Sequence, residues 1–258
     1  MPLRSDLFLY DRNVPLRFSV EGEHTSVADV RYDNGEGGAV NALVVRPPDL
    51  TGNRSGVIVA HGGFEGGKHL FLEQAIELSQ SGFTVLVADT AFPRDGDAAG
   101  VEAAVRSGVL THRRGLDVLE SVYDAGRLGF FGHSRGGLEG AILAAVEPRL
   151  RAVAIGGMGS PSQERRKRGH EEVEMRSYFD ALFSFDAALY LRASEGHHLL
   201  VQHGRDDAEV TLAEARAMFE AAGEPKIWRE YDCGHGVDGH PAARTDRIAF
   251  FRDALDEV

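Results

Sequence analysis

A chain of 258 residues with 43% hydrophobic side chains is long enough to enclose a substantial core in one large domain. Its 40 acidic against 28 basic residues leave a formal charge of −12, which argues against nucleic acid or an anionic membrane as a principal partner. The lone Cys233 can close no internal disulfide, so no oxidising compartment is called for. The N-terminal stretch "MPLRSDLFLYDRNVPLRFSV" shows neither an apolar h-region nor a small-residue cleavage site. No apolar run approaches the roughly 20 residues that span a bilayer. The expectation is a soluble, cytoplasmic protein.

In chain order, "SVADVRYD" and "AVNALVVRP" are valine-rich and flank "NGEGG", which predicts a β-hairpin. "SGVIVAHGG" is a short apolar run ending in glycine, the pattern of a buried parallel strand. "HLFLEQAIELSQSG" has helical spacing and stops at glycine, and "FTVLVAD" is a second buried strand. The segment from Gly100 to Gly126 predicts a long helix with a break near Gly108. "RLGFFG" predicts a strand, "GGLEGAILAAV" a helix and "LRAVAIGG" a strand. Residues 157–185 fit neither period. Beyond them follow a short helix in "FDAALYLRASEG", a strand in "HHLLVQHG" and a helix in "TLAEARAMFEAAG". A strand in "PKIWREYD" and a closing helix from Pro241 complete the chain.

Strands that are apolar throughout, alternating with helices, imply an α/β fold with a mostly parallel, doubly wound sheet covered on both faces. The leading hairpin adds antiparallel strands at one edge. No repeat, linker or low-complexity segment interrupts the pattern, so residues 1–258 read as a single domain. Residues 157–185 read as a cap insertion over the carboxyl edge of the sheet, where open α/β sheets bind ligands.

The segment "GHSRG", Gly132 to Gly136, places Ser134 between a predicted strand and a predicted helix. A G-x-S-x-G turn in that context is sharp and strained, and it holds the serine hydroxyl free above the sheet as a nucleophile. The alternative is a tight turn whose serine caps the helix. A hydroxyl attacks only if a base takes its proton, so a histidine and an orienting carboxylate must come from other loops on the same edge. "LLVQHGRDDAEV" ends a strand with Asp206 and Asp207 in its loop, and "EYDCGHGVDGH" ends the next with histidines in its loop.

"AHGGFEGG", "GHSRGG", "HGRDDAEV" and "CGHG", in this order, resemble the α/β-hydrolase superfamily, and within it the serine esterases related to dienelactone hydrolase. The resemblance runs from about residue 25 to the end of the chain. Dienelactone hydrolases proper carry a cysteine nucleophile where this chain has Ser134, so the resemblance implies ordinary ester hydrolysis and not lactone chemistry. The family pattern G-x-x-D-x-x-V is met by Gly204, Asp207 and Val210, which selects Asp207 as the triad acid with Asp206 as its rival.

His235, flanked by Gly234 and Gly236 after the last strand, is the strongest base candidate. His24, His69, His112 and His170 are expected to be solvated, and His133 to pack against the sheet. The oxyanion donors implied are the N–H of Arg135 and that of Gly63, with Phe64 next in line. Cys233 lacks an elbow and reads as a semi-buried filler. "RDGDAAG" at 94–100 matches no cation-binding loop, so no metal is expected, nor any cofactor. "RRKR" in the insertion reads as a solvated charge cluster. Met158, Met175, Tyr178, Phe179, Phe183 and Phe185 are candidates to line an acyl pocket or to pack the insertion.

These residues predict a serine hydrolase acting on small-molecule carboxylic esters, with short acyl chains preferred. The competing readings are an amide or peptide hydrolase on the same fold and a non-catalytic binding module. A homo-oligomer is compatible with either.

Overall fold

The computed structural model describes residues 3–49, 54–62, 67–90, 98–162 and 176–256, with backbone alone for 176–179 and 256. Among the described residues, nine strands form a single sheet in the order β1-β2-β3-β5-β4-β6-β7-β8-β9. β2 (Val27–Asp33) and β3 (Ala39–Val45) form the predicted hairpin, with Asp33 opposite Ala39 across its turn. β1 (Ser19–His24) pairs antiparallel with β2 and was not legible in the sequence. Only one residue in three along it is partly covered, so it lacks the apolar alternation that marks a strand.

β4 (Ser55–Ala60), β5 (Thr84–Ala88), β6 (Arg127–His133), β7 (Leu150–Gly156), β8 (His198–Gly204) and β9 (Lys226–Tyr231) run parallel to one another. β3 joins them antiparallel through β5. The loops after β6, β8 and β9 therefore open on the same edge.

Successive residues of each strand feed opposite cores. Ile58 and Phe130 point into one apolar cluster and Val57, Val59 and Phe131 into the other. On the first face lie α2 (Ala98–Ser121), α3 (Arg135–Val146), α5 (Ala187–Arg192) and α6 (Leu212–Ala221). On the second lie α1 (Leu72–Gln80) and α7 (Pro241–Asp256). Covering both faces satisfies the two-sided apolar strands, and the expected doubly wound architecture is the one observed. No helix among the described residues is long and apolar enough to cross a membrane.

α2 runs unbroken through Gly108, contrary to the break expected there. A Cβ at Gly108 would lie 2.2 Å from Glu139 Oε1 of α3, so the glycine serves helix packing and not helix termination. Residues 176–183 of the aperiodic segment form α4 (Arg176–Phe183), which runs against α2. Phe185 is buried against Phe8 with ring centroids 6.3 Å apart, and Phe183 is also buried. Phe185 packs the end of this segment onto the main core. Met158 packs half-buried against the same core. Met175, the side chains of Tyr178 and Phe179, the "RRKR" run and His170 lie outside the described residues, as does most of "RDGDAAG".

Candidate active site

Ser134 occupies a backbone conformation of φ 55°, ψ −117°, between the last residue of β6 and the first of α3. A non-glycine residue there carries a strain of about 1–3 kcal/mol, tolerated only where the surroundings impose it. They do so here by close approach. A Cβ on Gly132 would stand 2.0 Å from the Gly136 carbonyl oxygen, and one on Gly136 would stand 2.4 Å from that of Ala60. The flanking glycines let β6, α3 and β4 meet at the turn, and the serine hydroxyl is left facing the loops of the carboxyl edge.

The loop after β8 carries the two candidate aspartates. Asp207 is buried, while Asp206 beside it is exposed. Asp207 Oδ1 accepts the N–H groups of Glu209 and Val210, each at 2.9 Å. Its Oδ2 lies 2.9 Å from His235 Nδ1. Burial alone would raise this carboxyl, but the bonds from His235, Val210 and Glu209 outweigh it and hold Asp207 below the usual carboxylate range. The neighbouring Asp206 is turned outward, its N–H donating to the Cys233 carbonyl at 3.1 Å.

The loop after β9 carries the candidate base, His235. With Nδ1–H donated to Asp207, His235 presents the Nε2 lone pair to Ser134 Oγ at 3.0 Å. The three side chains selected from the sequence thus form one hydrogen-bonded line across three loops.

Two further histidines, His133 in the elbow and His203 at the end of β8, support this line. His133 is buried, its ring 4.9 Å from that of His235, and its Nε2 lies 2.7 Å from the His235 carbonyl oxygen. It anchors the base loop besides packing against the sheet. His203 Nε2–H meets the Val210 carbonyl at 2.9 Å and stands 3.6 Å from Asp207 Oδ2, steadying the acid loop. Burial pushes both imidazoles below their ordinary value, so they remain neutral donors. The one available signal was position: each stands at or next to the last residue of a strand whose loop carries a triad candidate.

His112 is not solvated, contrary to expectation. It is completely buried in α2, with Nε2 2.9 Å from Glu139 Oε2. α2 is enclosed by the sheet and by α3, so a polar residue on it can be interior if a partner waits on the next helix. Glu139 is in turn 3.3 Å from Arg135 Nε. Burial opposes ionisation of Glu139, yet Arg135 and His112 hold it below the usual range. The Arg135 side chain also donates to the Ala104 carbonyl at 3.1 Å, so it is anchored between α2 and α3. Gly63 and Phe64 lie outside the described residues.

Cys233 is half-buried beside Tyr231, Val237 and Ala243, and burial raises its thiol, the opposite of an activated nucleophile. No group of three or more potential metal ligands occurs among the described residues.

No protein-family model matches the sequence, and no curated protein matches it either. Solved structures do. Acetyl xylan esterase 1 from Thermoanaerobacterium sp. JW/SL YS485 superposes with a TM-score of 0.73 at 17% identity, covering 97% of this chain and 90% of its own. Acetyl xylan esterase from Paenibacillus sp. R4 gives 0.72 at 19%, covering 93% and 90%. The alpha/beta hydrolase GrgF from Penicillium sp. sh18 gives 0.73 at 14%, covering 90% and 100%. At such identities the likeness is one of fold.

Proposed function

We propose, from the α/β-hydrolase fold that this chain has, that it is a serine hydrolase cleaving small carboxylic esters. The observation that carries the reading is the continuous line Asp207–His235–Ser134 ending on a strained, half-buried serine. In this reading His235 Nε2 takes the proton of Ser134 Oγ as the oxygen attacks the ester carbonyl. The Arg135 N–H and that of Gly63 or Phe64 stabilise the tetrahedral oxyanion. His235 then returns the proton to the departing alcohol, leaving an acyl-serine. Water, activated by the same imidazole, releases the acid. Asp207 keeps His235 in the tautomer that presents Nε2 to the serine. No cofactor enters the cycle. The names of the solved structures that share the fold, several of them esterases, support an ester over an amide.

The chain is read as one hydrolase domain with the segment 157–185 as its cap. A cytoplasmic setting fits its single cysteine. The charge interrupting that segment suits short, soluble acyl groups. Incubation with a fluorophosphonate probe, followed by peptide mapping, should place the adduct on Ser134. Across p-nitrophenyl esters from acetate to palmitate, kcat/KM should peak at short chains and show no activation by an emulsified interface. Absence of labelling would overturn the nucleophile, and a maximum at palmitate would overturn the substrate class.

A further inference from the structure

Glu209 stands on the open side of the site. Its backbone N–H is held by Asp207 Oδ1 at 2.9 Å, so the residue that orients His235 also sets where the Glu209 side chain leaves the loop. Glu209 Oε2 reaches within 3.6 Å of His235 Nε2, the nitrogen that faces Ser134. The ring is therefore approached by two carboxylates from opposite edges: Asp207, fully buried, at Nδ1, and Glu209, with 65% of its side chain exposed, at Nε2. Among the described residues no arginine or lysine lies within ion-pairing reach of Glu209.

That placement matters because of what must pass the same nitrogen. When the ester C–O bond breaks, its electron pair goes to the alcohol oxygen, which takes its proton from Nε2. The leaving alcohol must come within hydrogen-bond reach of Nε2, and so within a few ångströms of the Glu209 carboxylate. We propose that Glu209 selects substrates by the charge of the leaving alcohol, favouring esters of cationic alcohols and rejecting those of anionic ones. The selection rests on the hydrolase reading of Ser134. At a separation of about 6 Å in water-like surroundings, a full charge gains or loses about threefold in rate. The contrast between a cationic and an anionic alcohol is then about tenfold, and salt shrinks it.

The test compares wild type, Glu209→Gln and Glu209→Lys on three acetate esters: acetylcholine, its neutral tert-butyl isostere, and the acetate of a hydroxyalkanesulfonate. At low ionic strength wild type should favour acetylcholine over the sulfonate ester by about tenfold in kcat/KM after normalisation to the neutral ester. Glu209→Gln should bring that ratio close to unity, and Glu209→Lys should invert it. Fluorophosphonate labelling of Ser134 is followed in parallel. Intact labelling with a ratio unchanged by Glu209→Gln, or a wild-type preference for the sulfonate ester, would overturn the selection and leave the nucleophile standing. Absence of both labelling and turnover would overturn the hydrolase reading and the selection together.

Discussion

The two ends of the parallel sheet are built on opposite principles. At the amino edge, where α3 ends and β7 begins, Arg149 bonds Glu147, Asp117 and Tyr10 at 2.7–3.0 Å. Arg113 joins Glu147 at 3.0 Å and reaches the Phe8 carbonyl at 2.7 Å, while Arg114 joins Asp117 at 2.9 Å and the Val14 carbonyl at 2.8 Å. This network straps the N-terminal segment onto α2. At the carboxyl edge stand the strained Ser134 and a set of buried histidines. The buried side-chain atoms left without a hydrogen bond include His112 Nδ1, Glu139 Oε1, His203 Nδ1 and Arg247 Nη2, and none belongs to the amino-edge network. Satisfied polar groups mark the end that holds the fold together; a strained serine and incomplete satisfaction mark the end that carries the candidate chemistry. The contrast predicts that damage at one edge costs activity and damage at the other costs stability.

The largest effect belongs to the elbow. Ser134→Ala should lose turnover by about 10⁴-fold or more while unfolding at no lower temperature than wild type. Hydrolysis at an undiminished rate with the protein folded by circular dichroism would remove the chemistry from this edge. Next, Asp207→Asn should also cost about 10⁴-fold, because it no longer fixes the His235 tautomer, whereas Asp206→Asn should stay within about twofold of wild type. If the Asp206 variant were the inactive one, the observed register of the loop would be wrong.

At the opposite edge the readout changes. Arg149→Met leaves the buried Glu147 without its main partner and should destabilise the fold by about 3 kcal/mol, measured by urea unfolding. Activity per folded molecule should be retained. A variant of normal stability and lost activity would reverse the assignment of the two edges.

Acid should separate the edges by pH. His61, His133 and His203 at the carboxyl edge, and His197 at the start of β8, are pushed below their ordinary value by burial. A depressed folded value means the contribution is fully present above the unfolded value of about 6.5 and declines as pH falls below it. Burial would raise Glu147, but bonds from Arg149 and Arg113 hold it below the usual range. Its contribution is present above about pH 4.3 and lost as pH falls through the lower folded value. Urea midpoints against pH should therefore show two limbs. His203→Gln, whose amide can replace the Nε2–H donor, should shrink the upper limb, and Glu147→Gln should remove part of the lower one. A single limb near pH 4 would mean that the histidines contribute nothing.

Much of this was legible from sequence because it is local. Apolar runs bounded by glycine announce β4 to β8, and G-H-S-R-G announces its turn, since the close approaches at Gly132 and Gly136 leave no room for a side chain. Ser134, and the loops that had to hold its partners, follow from such short-range rules. What the tertiary structure decided is what depends on packing between distant segments. The G-x-x-D-x-x-V pattern favours Asp207 over its rival Asp206, but the reason lies in the fold: the loop turns Asp207 inward, where its carboxylate accepts two backbone N–H groups and meets His235, 28 residues away in sequence. Gly108 looks like a helix break until Glu139 fills the space beside it. His112 looks solvated until α3 closes over α2, and β1 has no pattern at all until β2 offers it an edge. Sequence determines where the backbone must bend and which faces must be buried; only the assembled chain supplies the partner that makes a buried polar group affordable, because that partner comes from elsewhere in the sequence.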